Sequence, residues 1–182
     1  MTKVCKRFEN ASFDNFIGNK ELVDILRNAK DIKNNIVIIG GVGTGKTYLA
    51  YALLNQEAEK ITFQNQYRYY SSKFVRYATI KEIIEDIRKC WSKSADKYDI
   101  ENVDNYKNVP LLIIDEIGVQ YGSDSERIEL FEIFNERYNE MLPTIAISNY
   151  NRQQIEKTLG LRITDRLFGS SKIFELSGES HR

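Results

Sequence analysis

The chain has 182 residues, 42% of them apolar and 29% charged, and 26 Lys and Arg balance 26 Asp and Glu. That length suits one domain with a real core, the composition excludes a disordered chain, and zero net charge excludes binding to nucleic acid through overall charge, leaving only a local patch. No apolar run approaches the roughly 20 residues of a membrane span, the opening MTKVCKRFENASF lacks the apolar stretch of a secretion signal, and Cys5 and Cys90 stand alone without metal spacing, which suits a reducing, cytoplasmic setting.

In chain order, Leu22, Ile25, Leu26 and Ala29 have helical spacing. Ile36–Ile39 is a short buried strand, and Thr47 to about Lys60 reads as a helix. Phe74–Ala78 is expected as a strand, Ile80–Trp91 as a helix and Leu111–Ile114 as a second fully apolar strand. Ile128, Phe131, Phe134, Tyr138 and Met141 step by three and four, one helix face. Thr144–Ser148 and Lys172–Leu176 complete the set. Pro110 and Pro143, the only prolines, each precede an apolar run and mark entry into a strand. Strands that alternate with helices and are apolar on both faces predict an α/β domain with a parallel sheet. His181 is the only histidine, so histidine metal sites and Ser-His catalysis start as poor readings.

Gly40 to Thr47, GGVGTGKT, matches G-x-x-x-x-G-K-[ST]. Glycines let backbone N–H groups turn inward on a phosphate, and the following helix aims its positive end at the same place. Gly41, Val42, Gly43, Thr44 and Gly45 would line that loop. Lys46 would reach the β- and γ-phosphates of ATP, and the Thr47 hydroxyl would ligate Mg²⁺. The alternative, a glycine-rich turn that binds nothing, fits poorly between an apolar strand and a helix. LLIIDE, residues 111–116, is four apolar residues followed by two acids. Ligands collect at the carboxyl ends of parallel strands. Asp115 is therefore expected to hold Mg²⁺ and Glu116 to polarise the water that attacks the γ-phosphate. An ordinary polar turn after a strand is the plain alternative. The second acid favours hydrolysis over transfer to a small acceptor.

GGVGTGKT with LLIIDEIG resembles the AAA+ ATPases. NERYNEMLPTIAISNYN, LGLRITDRLF and the closing GESHR look more specifically like the bacterial replicative-helicase loaders of the DnaC/DnaI group and the related IstB-type transposition ATPases. The likeness runs from about Lys6 to Arg182. It implies a P-loop α-β-α sandwich with a mainly parallel five-stranded sheet and a reduced or absent C-terminal lid. It implies one domain over 1–182, with an adenine-side segment and first helix over 1–35 and the core over 36–182. The resemblance makes Asn149 the sensor that touches the attacking water or γ-phosphate, although Asn is also a common strand-end turn residue. Arg166, with Arg162 second, becomes the arginine finger that reaches a neighbouring subunit's ATP. The two are four apart and share a helix face, and a solvated basic face is the alternative. Arg182 matches a second sensor. Ile17, with Phe16, falls where the family meets adenine, or is simple core packing. Leu161 stands where the family commonly has an acid, and with about fifteen residues ahead of the core no counterpart to the loaders' helicase-gripping domain is expected there.

Lys60 to Lys81 carries five basic residues and no acid, interleaved with Phe63, Tyr67, Tyr69, Tyr70, Phe74 and Tyr77. Arg68, Lys73 and Arg76 with these rings could form a single-stranded DNA platform, or the tyrosines could be one packed face of a hairpin. Asp124 to Glu140 has six acids against Arg127 and Arg137, read as the exposed face of a helix packed through Ile128, Phe131 and Phe134. Such a face could meet the Arg162/Arg166 face of another copy in a head-to-tail assembly. The leading expectation is an ATPase that binds single-stranded DNA as an ATP-dependent homo-oligomer and loads or remodels a replicative helicase or another replication protein. A transposition ATPase on duplex DNA, a small-molecule kinase and a non-catalytic nucleotide-binding module are the alternatives.

Overall fold

The computed structural model describes residues 2–62, 68–118 and 123–177. In chain order the strands are β1 (Thr2–Lys3), β2 (Ile36–Gly40), β3 (Glu59–Thr62), β4 (Arg68–Ser71), β5 (Val75–Thr79), β6 (Leu111–Asp115), β7 (Thr144–Ser148) and β8 (Lys172–Leu176). The helices are α1 (Lys20–Arg27), α2 (Lys46–Glu57), α3 (Ile80–Cys90), α4 (Lys97–Asn108), α5 (Asp124–Asn139), α6 (Arg152–Leu159) and α7 (Leu161–Phe168).

Five strands form one wholly parallel sheet in the order β5-β6-β7-β2-β8. One apolar cluster packs α1 and α2 on one face, around Ile36, Ile38, Leu49, Leu53, Leu111 and Ile113. A second packs α3 to α7 on the other, around Val37, Ile84, Leu112, Leu130, Ile155 and Leu167. Alternate residues of the same strand serve opposite faces, which is why the strands read as unbroken apolar runs. This is the three-layer sandwich expected. A three-stranded antiparallel sheet, β1-β4-β3, lies beside it.

Local sequence sets the helix starts. Thr79/Glu82, Asp96/Asp99, Ser123/Glu126 and Asn151/Gln154 each form a reciprocal capping box at α3, α4, α5 and α6. Pro110 and Pro143 each sit one residue before a strand.

Three elements differ from the expectation. The second helix ends at Glu57, and Lys60 lies in β3 rather than at a helix end. α4 had no clear signal, because it buries only Val103 and Tyr106. On α5 the buried stripe is Leu130, Ile133, Phe134 and Arg137, whereas Ile128, Tyr138 and Met141 are exposed. Both stripes have spacings of three and four, so periodicity alone picked the wrong one. Arg137, read as part of a solvated face, is 1% exposed.

Candidate nucleotide site

β2 delivers its chain to the phosphate loop at the carboxyl edge of the sheet. Gly43 (φ 88°) and Gly45 (φ 90°) take the left-handed conformation that lets the loop fold inward. A side chain at Gly45 would also meet Phe16, whose ring lies 2.7 Å from where a Cβ would stand. The Lys46 ammonium, 7% exposed, donates to the carbonyls of Gly40 (2.8 Å) and Gly41 (2.6 Å). Thr44 Oγ1 donates to the Gly41 carbonyl at 2.9 Å.

Two strands away, β6 ends on Asp115, 4% exposed. Its Oδ2 accepts hydrogen bonds from Thr47 Oγ1 (2.7 Å) and Tyr77 Oη (3.1 Å), and its Oδ1 from the Glu116 N–H (2.7 Å). Burial pushes the Asp115 carboxyl above the ordinary range, and the three donors and Lys46 pull it back. Burial, then the neighbouring Asp115 charge, holds the Tyr77 phenol far above its usual value. Glu116 turns outward with a left-handed φ of 60°. Gly118 follows at φ 101°, its α-carbon covered by the Tyr150 ring, and the Ile117 N–H donates to the Ile147 carbonyl at 3.0 Å. These contacts tie the acidic turn to the loop that carries Asn149.

One cleft of about 530 Å³ gathers these groups. Val42, Gly43, Gly45, Lys46, Thr47, Asp115, Glu116 and Asn149 line it, with Ile17 and Phe16 at the far side. Gly41 sits in the same loop, exposed. Ile17 is 85% exposed, so its side chain is not core packing. The ring beneath it is Phe16, stacked on Tyr48 with centroids 6.2 Å apart. Arg7, Phe8, Asn15 and Tyr48 also line the cleft and escaped the sequence reading, because nothing in the spacing of the N-terminal segment says which way its side chains face. Tyr77 was missed as a neighbour of the acid, although its alternation with Val75 puts it on the same sheet face as Asp115.

Arg162 and Arg166 do not enter this cleft. On α7, Arg162 sits over the Phe131 ring (5.9 Å) and Arg166 over the Tyr138 ring (4.6 Å). Arg182 lies outside the described residues, as do Phe63 and Tyr67. The DNA candidates divide. Lys73 is exposed at the β4–β5 turn. Arg68 pairs with Glu9. Arg76 is a correction: it stacks 3.7 Å above the Tyr106 ring and donates to Asn105 (2.9 Å) and Asn102 (2.5 Å), so it holds β5 against α4 instead of facing solvent. Tyr70 and Tyr77 are buried in the core, the packed-face alternative for those two rings. Among the described residues no helix is long and apolar enough to cross a membrane.

Comparison with known proteins places this geometry. The chain is 28% identical to the replicative helicase loader DnaC of Escherichia coli (strain K12) over 96% of its length and 70% of that protein. A crystal structure of the DnaC helicase loader shares the fold, with a TM-score of 0.73 at 18% identity, covering 95% of this chain and all of that one. AMPPCP-bound DnaA from Aquifex aeolicus superposes with a TM-score of 0.70 at 25% identity, over 92% of this chain and half of that one. The family model described as IstB-like ATP binding protein matches residues 3–182. With its phosphate loop, acidic strand end and α-β-α sandwich, the chain belongs to the IstB-like ATP binding proteins and is an AAA+ P-loop ATPase.

Proposed function

We propose that this ATPase is a nucleotide-gated switch of DNA replication, which assembles head-to-tail on single-stranded DNA and loads or remodels a replicative helicase. The observation that carries the reading is a division of the machinery: the cleft gathers Lys46, Thr47, Asp115, Glu116 and Asn149, while Arg162 and Arg166 lie outside it on α7. Among the described residues Arg7 is the only arginine lining the cleft, and it lies over the Phe8 ring on the N-terminal wall, so a second copy would supply Arg166 to stabilise the transition state. The exposed Tyr138, over which Arg166 lies, and the exposed Leu161, next to Arg162 in the chain, suit burial in such a contact. The 28% identity to a replicative helicase loader supports the replication setting.

The donor set suits Mg²⁺. Thr47 Oγ1 and Asp115 Oδ2 are hard oxygens 2.7 Å apart, and one carboxylate plus a hydroxyl is what Mg²⁺ takes when phosphates and water complete its shell. Bound there, Mg²⁺ would neutralise charge on the phosphates. Lys46 would turn from the loop carbonyls to the β- and γ-oxygens. Glu116 would take a proton from the attacking water, and Asn149 would orient that water.

Mixing two dead variants tests the assembly. Arg166→Ala keeps its own acids and Glu116→Gln keeps its finger, so together they should recover ATP turnover that each lacks alone. A fully active, monomeric Arg166→Ala protein would refute the shared site. Anisotropy of labelled single-stranded DNA with Mg–ATP, Mg–ADP and no nucleotide tests the gating, and tight binding only with ATP is expected. The IstB-like match favours one second reading, a transposition ATPase on duplex DNA. Preference for a duplex of equal length would select it.

A further inference from the structure

Asp115 holds its carboxylate through three donors, and one of them comes from neither sequence motif. Tyr77 stands on β5, the strand next to β6, with Tyr77 opposite Ile113 and Thr79 opposite Asp115. Its phenol therefore crosses diagonally to reach the acid two residues further along, a span an aromatic side chain covers. The ring is 7% exposed and packs against Tyr51 with centroids 5.1 Å apart. Tyr51 in turn contacts Tyr70 at 6.1 Å, and Tyr70 Oη donates to Asn55 Oδ1 at 2.7 Å. The phenol is thus aimed by a packed aromatic column and has little freedom to swing away.

Oδ2 is shared between Thr47 and Tyr77, while the Glu116 N–H holds Oδ1. A Thr47 hydroxyl can ligate a cation through an oxygen lone pair and still give its proton to Oδ2, so Tyr77 is the side-chain donor on that oxygen that has no ion to bind. We propose that Tyr77 is a positioning residue for the metal site, fixing the Asp115 carboxylate alongside Thr47 while Thr47 ligates the ion. The inference rests on the reading of Asp115 and Thr47 as the Mg²⁺ pair. Partners that hold a metal-binding carboxylate commonly carry a 10- to 100-fold effect on metal affinity or activity.

The test is Mn²⁺ titration followed by electron paramagnetic resonance, with a non-hydrolysable ATP analogue bound, on the wild type, Tyr77→Phe and Asp115→Asn. Tyr77→Phe keeps the ring and removes only the hydroxyl. It should weaken Mn²⁺ binding about 10-fold while analogue binding without metal is unchanged. Its loss of turnover should be recovered by raising Mg²⁺, a rescue that a merely structural defect would not show. Tyr51→Phe, which keeps the column but touches no acid, controls for packing and should bind Mn²⁺ as the wild type does. Wild-type Mn²⁺ affinity in Tyr77→Phe, alongside a large loss in Asp115→Asn, would overturn the role of Tyr77 alone. Unchanged affinity in Asp115→Asn would overturn the metal site itself.

Discussion

Replacing Arg137 should cost the fold more than replacing any other basic residue described. Its guanidinium donates to Thr144 Oγ1 (3.0 Å) and to the carbonyls of Tyr106 (3.0 Å), Lys107 (3.3 Å), Val109 (2.8 Å) and Pro143 (2.6 Å). Tyr106 and Lys107 lie in the last turn of α4, where carbonyls have no partner within the helix. The guanidinium caps that negative end from a neighbouring helix. Burial alone lowers it from the ordinary arginine range to about 9, a cost on the order of 5 kcal/mol to the charged form. Five bonds from a charged donor, at about 1.5 kcal/mol each or somewhat more, exceed that cost by about 3 kcal/mol. Arg137→Met, which keeps most of the volume and loses every bond, should lower the melting temperature by roughly 6–12 °C for a domain of this size. Arg137→Lys should fall between the two, because one ammonium cannot reach all five acceptors. Differential scanning calorimetry without nucleotide reads both. Arg137→Met melting at or above the wild-type temperature would show that burying the charge costs as much as the clamp returns, a known outcome for buried charges, and would refute the reasoning.

Asp115→Asn should stabilise the metal-free protein at neutral pH. The folded carboxyl is raised above its unfolded value, so its contribution is full in acid and is lost as pH rises through the folded value. The variant's melting temperature should therefore exceed the wild type's at pH 7 and match it near pH 4, and an equal gap at both would sink the assignment. Gly45→Ala should weaken ATP binding by 10-fold or more, since it meets both the left-handed φ of 90° and the Phe16 ring. Adding Phe16→Ala should recover only part of the affinity in a fluorescent-nucleotide titration, and full recovery would remove the backbone argument. Arg76→Ala should lower stability through the lost Tyr106 and Asn contacts but leave the salt dependence of DNA binding unchanged. A flattened salt slope would return Arg76 to the DNA surface.

The sheet was legible because parallel strands buried on both faces leave unbroken apolar runs, and each such run of the central strands is one. The phosphate loop and acidic strand end were legible because their chemistry needs fixed residue types at fixed spacings. α4 was not, since its two buried residues make no stripe. The orientation of α5 was not, since two stripes of equal period compete and one is completed by an arginine that no hydrophobic count would include. The cleft's outer wall was half legible. Phe16 and Ile17 marked the segment, but only the packing of Phe16 on Gly45 and Tyr48 shows that Ile17 is left exposed. Arg76 was misread because a cation between tyrosines looks alike in sequence whether the rings lie in a core or on a surface.

Glu116 sits at the sharpest conflict between endurance and work in this chain. A non-glycine residue at φ 60° costs about 1–2 kcal/mol relative to a relaxed backbone, and the bond from its N–H to Asp115 keeps it there. Asn or Gly would accept the same backbone more readily, so either should yield a hardier protein and an idle one. A library sorted for heat resistance alone would drift toward those residues at this position, and one sorted for turnover would return the glutamate.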